Sequence, residues 1–261
     1  VIDCGGRVAL VTGAGQGIGR AIALSLARCG ASGIAVNDFH ARRAAAVAAE
    51  IEAAGIRAIA VTADVTDSGA VEAMMAQVGA TLGRIGILIN NAGNAGPLAR
   101  PEPGDRPFWE LPADDWQRWF AVNLFGVMHC CRAAIPQMIA RGGDGRIVTI
   151  LSEAGRMGEP RLEAYSGAKA GAAGFLRALA RSVGRHGITV NMVSLGATMT
   201  PTSAEAFADD AFREKILNSY VIRRLGTPDD AAAMACFLAS DAAGWITGQT
   251  IAVNGGYSFT L

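Results

Sequence analysis

Seven short runs rich in β-branched and other apolar residues recur along the 261-residue chain: RVALVTG, GIAVND, AIAVTAD, GILINNAG, GRIVTILS, ITVNMVS and TIAVNGG. Between them lie longer alanine-rich amphipathic segments, among them Gly17 to Cys29, Ala41 to Ala54 and Ser68 to Leu82. Strand-length runs that alternate with helix-length segments imply βαβ units, hence a parallel sheet covered by helices on both faces. The expected fold class is therefore α/β, a doubly wound parallel sheet of about seven strands. Nothing in the composition marks a linker and no internal repeat is visible, so residues 1–261 read as one domain.

One stretch breaks the rhythm. Pro97, Pro101, Pro103, Pro107 and Pro112 fall close together, with Phe108 and Trp109 among them. Prolines at that density exclude helix and central strand, so an irregular loop is expected, either a substrate wall, an oligomer contact or surface decoration.

Charge and composition exclude several function classes. Basic and acidic residues balance, 23 against 23, and no basic run offers a track for a phosphate backbone, so no nucleic-acid partner is expected. Glycine, arginine or acidic residues interrupt every long apolar run, so no membrane span is expected. VIDCGGRVALVTG lacks the charged start and apolar stretch of a signal peptide, and a cytoplasmic protein is the expectation. The five cysteines show no CxxC spacing and read as reduced structural thiols. His40, His129 and His186 are scattered, and no metal site is expected.

TGAGQGIG, Thr12 to Gly19, follows the first strand and opens the first helix. Gly13, Gly17 and Gly19 permit a tight turn and a close backbone approach, and with Gln16 and Ile18 they frame the helix start. Free N–H groups and the positive dipole end there suit a pyrophosphate. Ile18 occupies the third glycine position of a G-x-G-x-x-G pattern, so the spacing is a different one. Asp38 ends the second strand, where a carboxylate accepts hydrogen bonds from a ribose diol and repels a 2′-phosphate. That favours NAD over NADP, although Arg20, Arg42 or Arg43 could receive such a phosphate.

Lysine occurs only twice, and Lys169 stands four residues after Tyr165, one of three tyrosines, in YSGAK. That spacing puts both side chains on one helix face. With TGAGQGIG, NNAG at 90–93 and YSGAK in this order, the chain resembles the single-domain branch of the short-chain dehydrogenase/reductase family, from about Arg7 to Tyr257. Ser152 lies thirteen residues before Tyr165, the family spacing, and Asn123 in WFAVNLFGV matches the fourth active-site position. The resemblance implies a Rossmann-like domain in which Tyr165 exchanges a proton with an alcohol or ketone. Ser152 would polarise the substrate oxygen, and Asn123 would hold a water that relays protons from the lysine. A tyrosine's ordinary pKa of about 10 is too high for a base at neutral pH, and the Lys169 ammonium is expected to lower it.

The resemblance also implies that Asp64 and Val65 border the adenine, and that Asn91, Ala92 and Gly93 border its ribose side. Gly196, Thr198 and Thr200 would lie on the nicotinamide side, where Tyr165 and Lys169 also meet the cofactor. Three departures stand out. Leu195 replaces the proline of a Pro-Gly pair, which predicts a nicotinamide-side loop that is looser or differently set. Glu153 follows the serine and is expected to pair with Arg156 or Arg161. Ala168 replaces a common serine. Met157, Leu162, Phe207 and Phe212 lean towards an apolar substrate. The reading is an NAD(H)-dependent secondary-alcohol/ketone oxidoreductase. Its small residues in GAKAGAAGFLRALA suit helix packing, and the family's habit implies a homotetramer. The alternatives are an NADP(H) ketoreductase, such as a 3-oxoacyl reductase, and a non-catalytic dinucleotide-binding protein.

Overall fold

A computed structural model describes residues 2–94, 107–112 and 114–259. Seven parallel strands form one sheet: β1 Val8–Val11, β2 Gly33–Asp38, β3 Ala58–Thr62, β4 Ile85–Asn90, β5 Arg146–Ser152, β6 Thr189–Leu195 and β7 Thr250–Val253. Their spatial order is β3-β2-β1-β4-β5-β6-β7. The helices are α1 Gly17–Arg28, α2 Ala41–Ala53, α3 Ser68–Thr81, α4 Asp114–Phe120, α5 Gly126–Ala140, α6 Ala154–Met157, α7 Glu163–Val183, α8 Ala204–Phe207, α9 Asp210–Asn218 and α10 Pro228–Ala239.

The period of two along each strand sorts the core into two layers. Ala9 and Val11 face a cluster built with Ile22, Leu26, Val47, Ala235 and Leu238 of α1, α2 and α10. Val8 and Leu10 face the opposite cluster, with Met74, Val78, Cys131, Ala172 and Leu176 of α3, α5 and α7. Strands covered on both faces need apolar residues at nearly every position, which is why the runs read as continuous rather than alternating.

The sheet winds one way from β1 to β3 and the other way from β4 to β7. The carboxyl ends of β1 and β4 therefore diverge into a crevice where ligands of such sheets bind. Of the proline-rich stretch, Pro97, Pro101 and Pro103 and the pocket-wall role expected of 97–106 lie outside the described residues. Its far end forms a single 3-10 turn, Phe108–Glu110. Phe108 stacks on Trp116 of α4 with ring centroids 4.9 Å apart, while Trp109 is exposed.

Candidate active site

The turn from β1 into α1 is built by glycine. Gly13 and Gly17 have positive φ, 62° and 54°, which side-chain-bearing residues rarely adopt. A Cβ on Gly19 would overlap the Gly13 carbonyl, and one on Gly13 would sit 2.9 Å from Ala92 Cα. Gln16 is the N-cap of α1, yet its side chain makes no cap hydrogen bond, whereas α3, α9 and α10 are capped by Asp67, Asp209 and Thr227. The first N–H groups of α1 are thus left for an external acceptor, the condition an anionic pyrophosphate needs. Ile18 packs its side chain against the core, so only its backbone contributes to this cradle.

Sequence reasoning missed Thr12, which supports the turn. Its hydroxyl accepts from the N–H groups of Asn91 and Ala92 at 3.0 and 3.1 Å. Asn91 answers with Nδ2 donated to Thr12 O and Gly13 O at 2.9 and 3.0 Å. The Asn91 side chain is therefore committed to holding the glycine turn against the end of β4. The first residue of TGAGQGIG was the available signal.

Asp38 is buried at the end of β2. Its Oδ2 accepts from Gly15 N at 3.0 Å and its Oδ1 from His40 N at 2.9 Å. Each carboxylate oxygen has further lone-pair capacity, which suits a diol. A Cβ on Gly15 would meet both Asp38 Oδ2 and Arg43 Cβ, so Arg43 stands beside this carboxylate. Arg20 does not compete for the site, since it pairs with Glu50 at 2.5 Å. Asp64 is half-buried and accepts from Thr66 N and Oγ1, both at 2.8 Å. Val65 is buried in the core against Gly126, and its carbonyl lies 3.1 Å from His129 Nδ1.

Ser152 ends β5, and α7 brings Tyr165 and Lys169 to it. The Ser152 hydroxyl accepts from Ala154 N at 3.2 Å and stands near enough to the Tyr165 phenol to favour its ionised form. Lys169 is buried, donates from Nζ to Ile150 O at 2.9 Å, and lies 5.8 Å from the Tyr165 ring centroid. Burial pushes its ammonium down to about 8. The Tyr165 phenol is pushed above its ordinary value by burial, with the Ser152 hydroxyl pulling it partly back. Burial is the largest effect on the phenol, and one of the three Lys169 N–H donors goes to the Ile150 carbonyl.

Asn123 is fully buried in a π-helical stretch, Ala121–Phe125, between α4 and α5. Its Nδ2 donates to Asn94 O at 2.8 Å and Trp119 O at 3.0 Å, and its Oδ1 accepts from Asn94 N at 3.3 Å. A Cβ on Gly93 would meet Asn123 Oδ1 at 2.9 Å and Lys169 Nζ at 3.4 Å. Gly93 thus lies between the amide and the ammonium.

Leu195 ends β6 in register with both Ser152 and Val253, and its side chain is buried. Gly196 follows without a break, donating to Val253 O at 3.3 Å. Thr198 Oγ1 donates to Gly196 O, and Thr200 N donates to Ser203 Oγ. The segment reaches back over the cradle, since a Cβ on Gly17 would lie 3.6 Å from Pro201 and 3.7 Å from Thr200. Glu153 pairs with Arg156 at 2.8 Å, as expected, and also accepts from the Ser258 hydroxyl. Phe207 is buried and stacks with half-buried Phe212, whereas Met157 is exposed beside the serine strand. Among the described residues no group of histidine, cysteine or acidic side chains could hold a metal.

A hydroxyl, a phenol and an ammonium gathered at strand ends, next to an uncapped helix start, can move a proton beside a bound dinucleotide. A family model described as enoyl-(acyl carrier protein) reductase matches residues 13–258. A short-chain dehydrogenase/reductase of Armillaria gallica is 38% identical, with 97% of each chain covered. The 3-oxoacyl-[acyl-carrier-protein] reductase FabG of Staphylococcus aureus is 39% identical over 96% of this chain and 97% of its own. The 7α-hydroxysteroid dehydrogenase of Escherichia coli is 36% identical over 96% of this chain and 94% of its own. A solved 7α-hydroxysteroid dehydrogenase, complexed with NADH and 7-oxo glycochenodeoxycholic acid, superposes with a TM-score of 0.89 at 36% identity, covering 98% of this chain and 95% of that one. The chain belongs to the short-chain dehydrogenase/reductase family and is a nicotinamide-dinucleotide-dependent oxidoreductase of alcohol and ketone groups.

Proposed function

We propose that the protein is an NAD(H)-dependent oxidoreductase interconverting a secondary alcohol and a ketone, with Tyr165 as general acid/base. The observation that carries this reading is the meeting of Ser152, Tyr165 and buried Lys169 at the crevice wall. Bound in the crevice, the dinucleotide supplies a hydride acceptor or donor at its nicotinamide ring. Ser152 donates a hydrogen bond to the substrate oxygen, and Tyr165 takes the alcohol proton or returns it to the ketone. Lys169 favours the phenolate through its charge, and Asn123, whose amide is bonded to the Asn94 backbone, would hold a water that relays protons from the lysine.

Gly13, Gln16, Gly17, Ile18 and Gly19 would hold the pyrophosphate, with Asp38 on the adenosine ribose. Asp64, Val65 and 91–93 would border the adenosine. Gly196, Thr198 and Thr200 would border the nicotinamide. Buried Asp38 supports NAD, because a 2′-phosphate would meet its carboxylate at close range. Arg43 beside it favours the rival NADP(H) reading. A panel of secondary alcohols assayed with NAD⁺ and NADP⁺, following absorbance of the reduced cofactor, separates the two. At least about a tenfold higher kcat/KM with NAD⁺ is expected; a preference for NADP⁺ overturns the Asp38 argument.

α7 exposes Ala170 and Gly174, where a second copy's helix could approach, which supports a homotetramer. Gly167 and Gly171 already accommodate Phe120 and Leu124 of the same chain. Native sizing that returns a monomer would count against the assembly. Cys4, Cys29, Cys130, Cys131 and Cys236 are free, in keeping with a reducing, cytoplasmic setting.

A further inference from the structure

We propose that Tyr220 is a positioning residue for the nicotinamide half of the cofactor, fixing the strap Gly196–Thr200 from behind. It stands outside the group that moves the proton. Its phenol is buried just past the end of α9, and its oxygen accepts from Ala197 N at 2.6 Å. The ring fills the space that a side chain at Gly196 would need, since a Cβ there would lie 2.8 Å from Tyr220 Oη. It also packs against Gly255 and stacks on Tyr257 with centroids 5.2 Å apart. Tyr257 in turn donates to Glu159 at 3.2 Å, which ties the ring pair to the segment after α6.

The strap has two lateral supports. On one side Gly226 N donates to Ala197 O at 2.9 Å and Met199 N donates to Gly226 O at 2.8 Å. On the other side Tyr220 takes the Ala197 N–H, the donor that the Gly226 bridge leaves unused. The strap continues from Leu195, which is paired with Ser152, and reaches over Gly17, so it spans from the proton-moving groups to the cradle. Losing the phenol oxygen frees a half-buried N–H and one edge of the strap while leaving the glycine cradle and Asp38 untouched.

This inference rests on the cofactor reading above, and its test separates the two. NADH and ADP-ribose, which lacks the nicotinamide, are titrated by calorimetry against the wild-type protein, Tyr220→Phe and Tyr257→Phe. Tyr220→Phe should weaken NADH about tenfold while ADP-ribose binds as in the wild type. Tyr257→Phe, which keeps the stacking, should leave both unchanged. Amide exchange at 196–200 should quicken in Tyr220→Phe alone. Equal weakening of both ligands, unchanged NADH affinity, or unaltered exchange at the strap overturns the inference. Wild-type protein that binds neither ligand overturns the cofactor reading and this inference with it.

Discussion

Lys169 and Tyr165 share a helix face, yet their environments push them in opposite directions. Burial carries the lysine down to about 8 and the tyrosine up. Alcohol oxidation needs the phenolate, so its kcat/KM should climb with pH across the neutral and alkaline range. Ketone reduction needs the phenol and should stay level through neutrality. An ammonium stabilises the phenolate, so Lys169→Met should move the oxidation limb to higher pH. A limb at the wild-type pH in that variant contradicts the role given to the charge. At the glycine turn, Gly19→Ala would drive a methyl into the Gly13 carbonyl and within reach of Asn91 Nδ2. Dinucleotide affinity should fall while the circular-dichroism spectrum stays native; unchanged affinity would show that the turn adapts.

The helices show what a single sequence displays and what it conceals. Strand runs were legible because burial on both faces demands apolar residues throughout. The glycine turn was legible because positive φ and close approach each require glycine. The π-helical stretch around Asn123 was not, since WFAVNLFGV carries an ordinary helical pattern and the widened turn is held by an amide reaching back to Trp119. Tyr220 was equally hidden. Its partner is the backbone of Ala197, twenty-three residues away, and no side-chain pattern advertises a backbone donor. Leu195 is paired on both sides, with Ser152 and Val253, a setting that the sequence around it does not display. TPDD at 227–230 forms a capping box opening α10, and Thr227→Ala should cost about 1 kcal/mol in urea unfolding. A change within 0.3 kcal/mol would show that proline at the helix start is cap enough.

The end of the sheet opposite the crevice is closed by charge. Buried Arg7 of the segment entering β1 and buried Arg146 of β5 share Asp144 and Asp241. Hydrogen bonds and charge from both arginines hold the Asp144 carboxyl below its ordinary value, outweighing its desolvation. A carboxylate with a depressed folded pKa stabilises above its unfolded pKa and loses that contribution as pH falls through the folded value. Stability should therefore decline below about pH 4. Asp144→Asn should lose no more than about 1 kcal/mol at pH 7, because the Asp144 side chain is 59% exposed and both guanidinium groups keep Asp241. The variant should then show a shallower acid decline than the wild type; equal slopes would place the acid sensitivity elsewhere. At the crevice end, the same architecture gathers residues from β1, β4, β5, β6 and α7 around one proton. The most direct measurement is therefore Tyr165→Phe, read for both binding and turnover. NADH titration should match the wild type, while kcat for the best alcohol found with NAD⁺ falls by about 10²- to 10⁴-fold. Wild-type turnover in that variant would contradict Tyr165 as the acid/base.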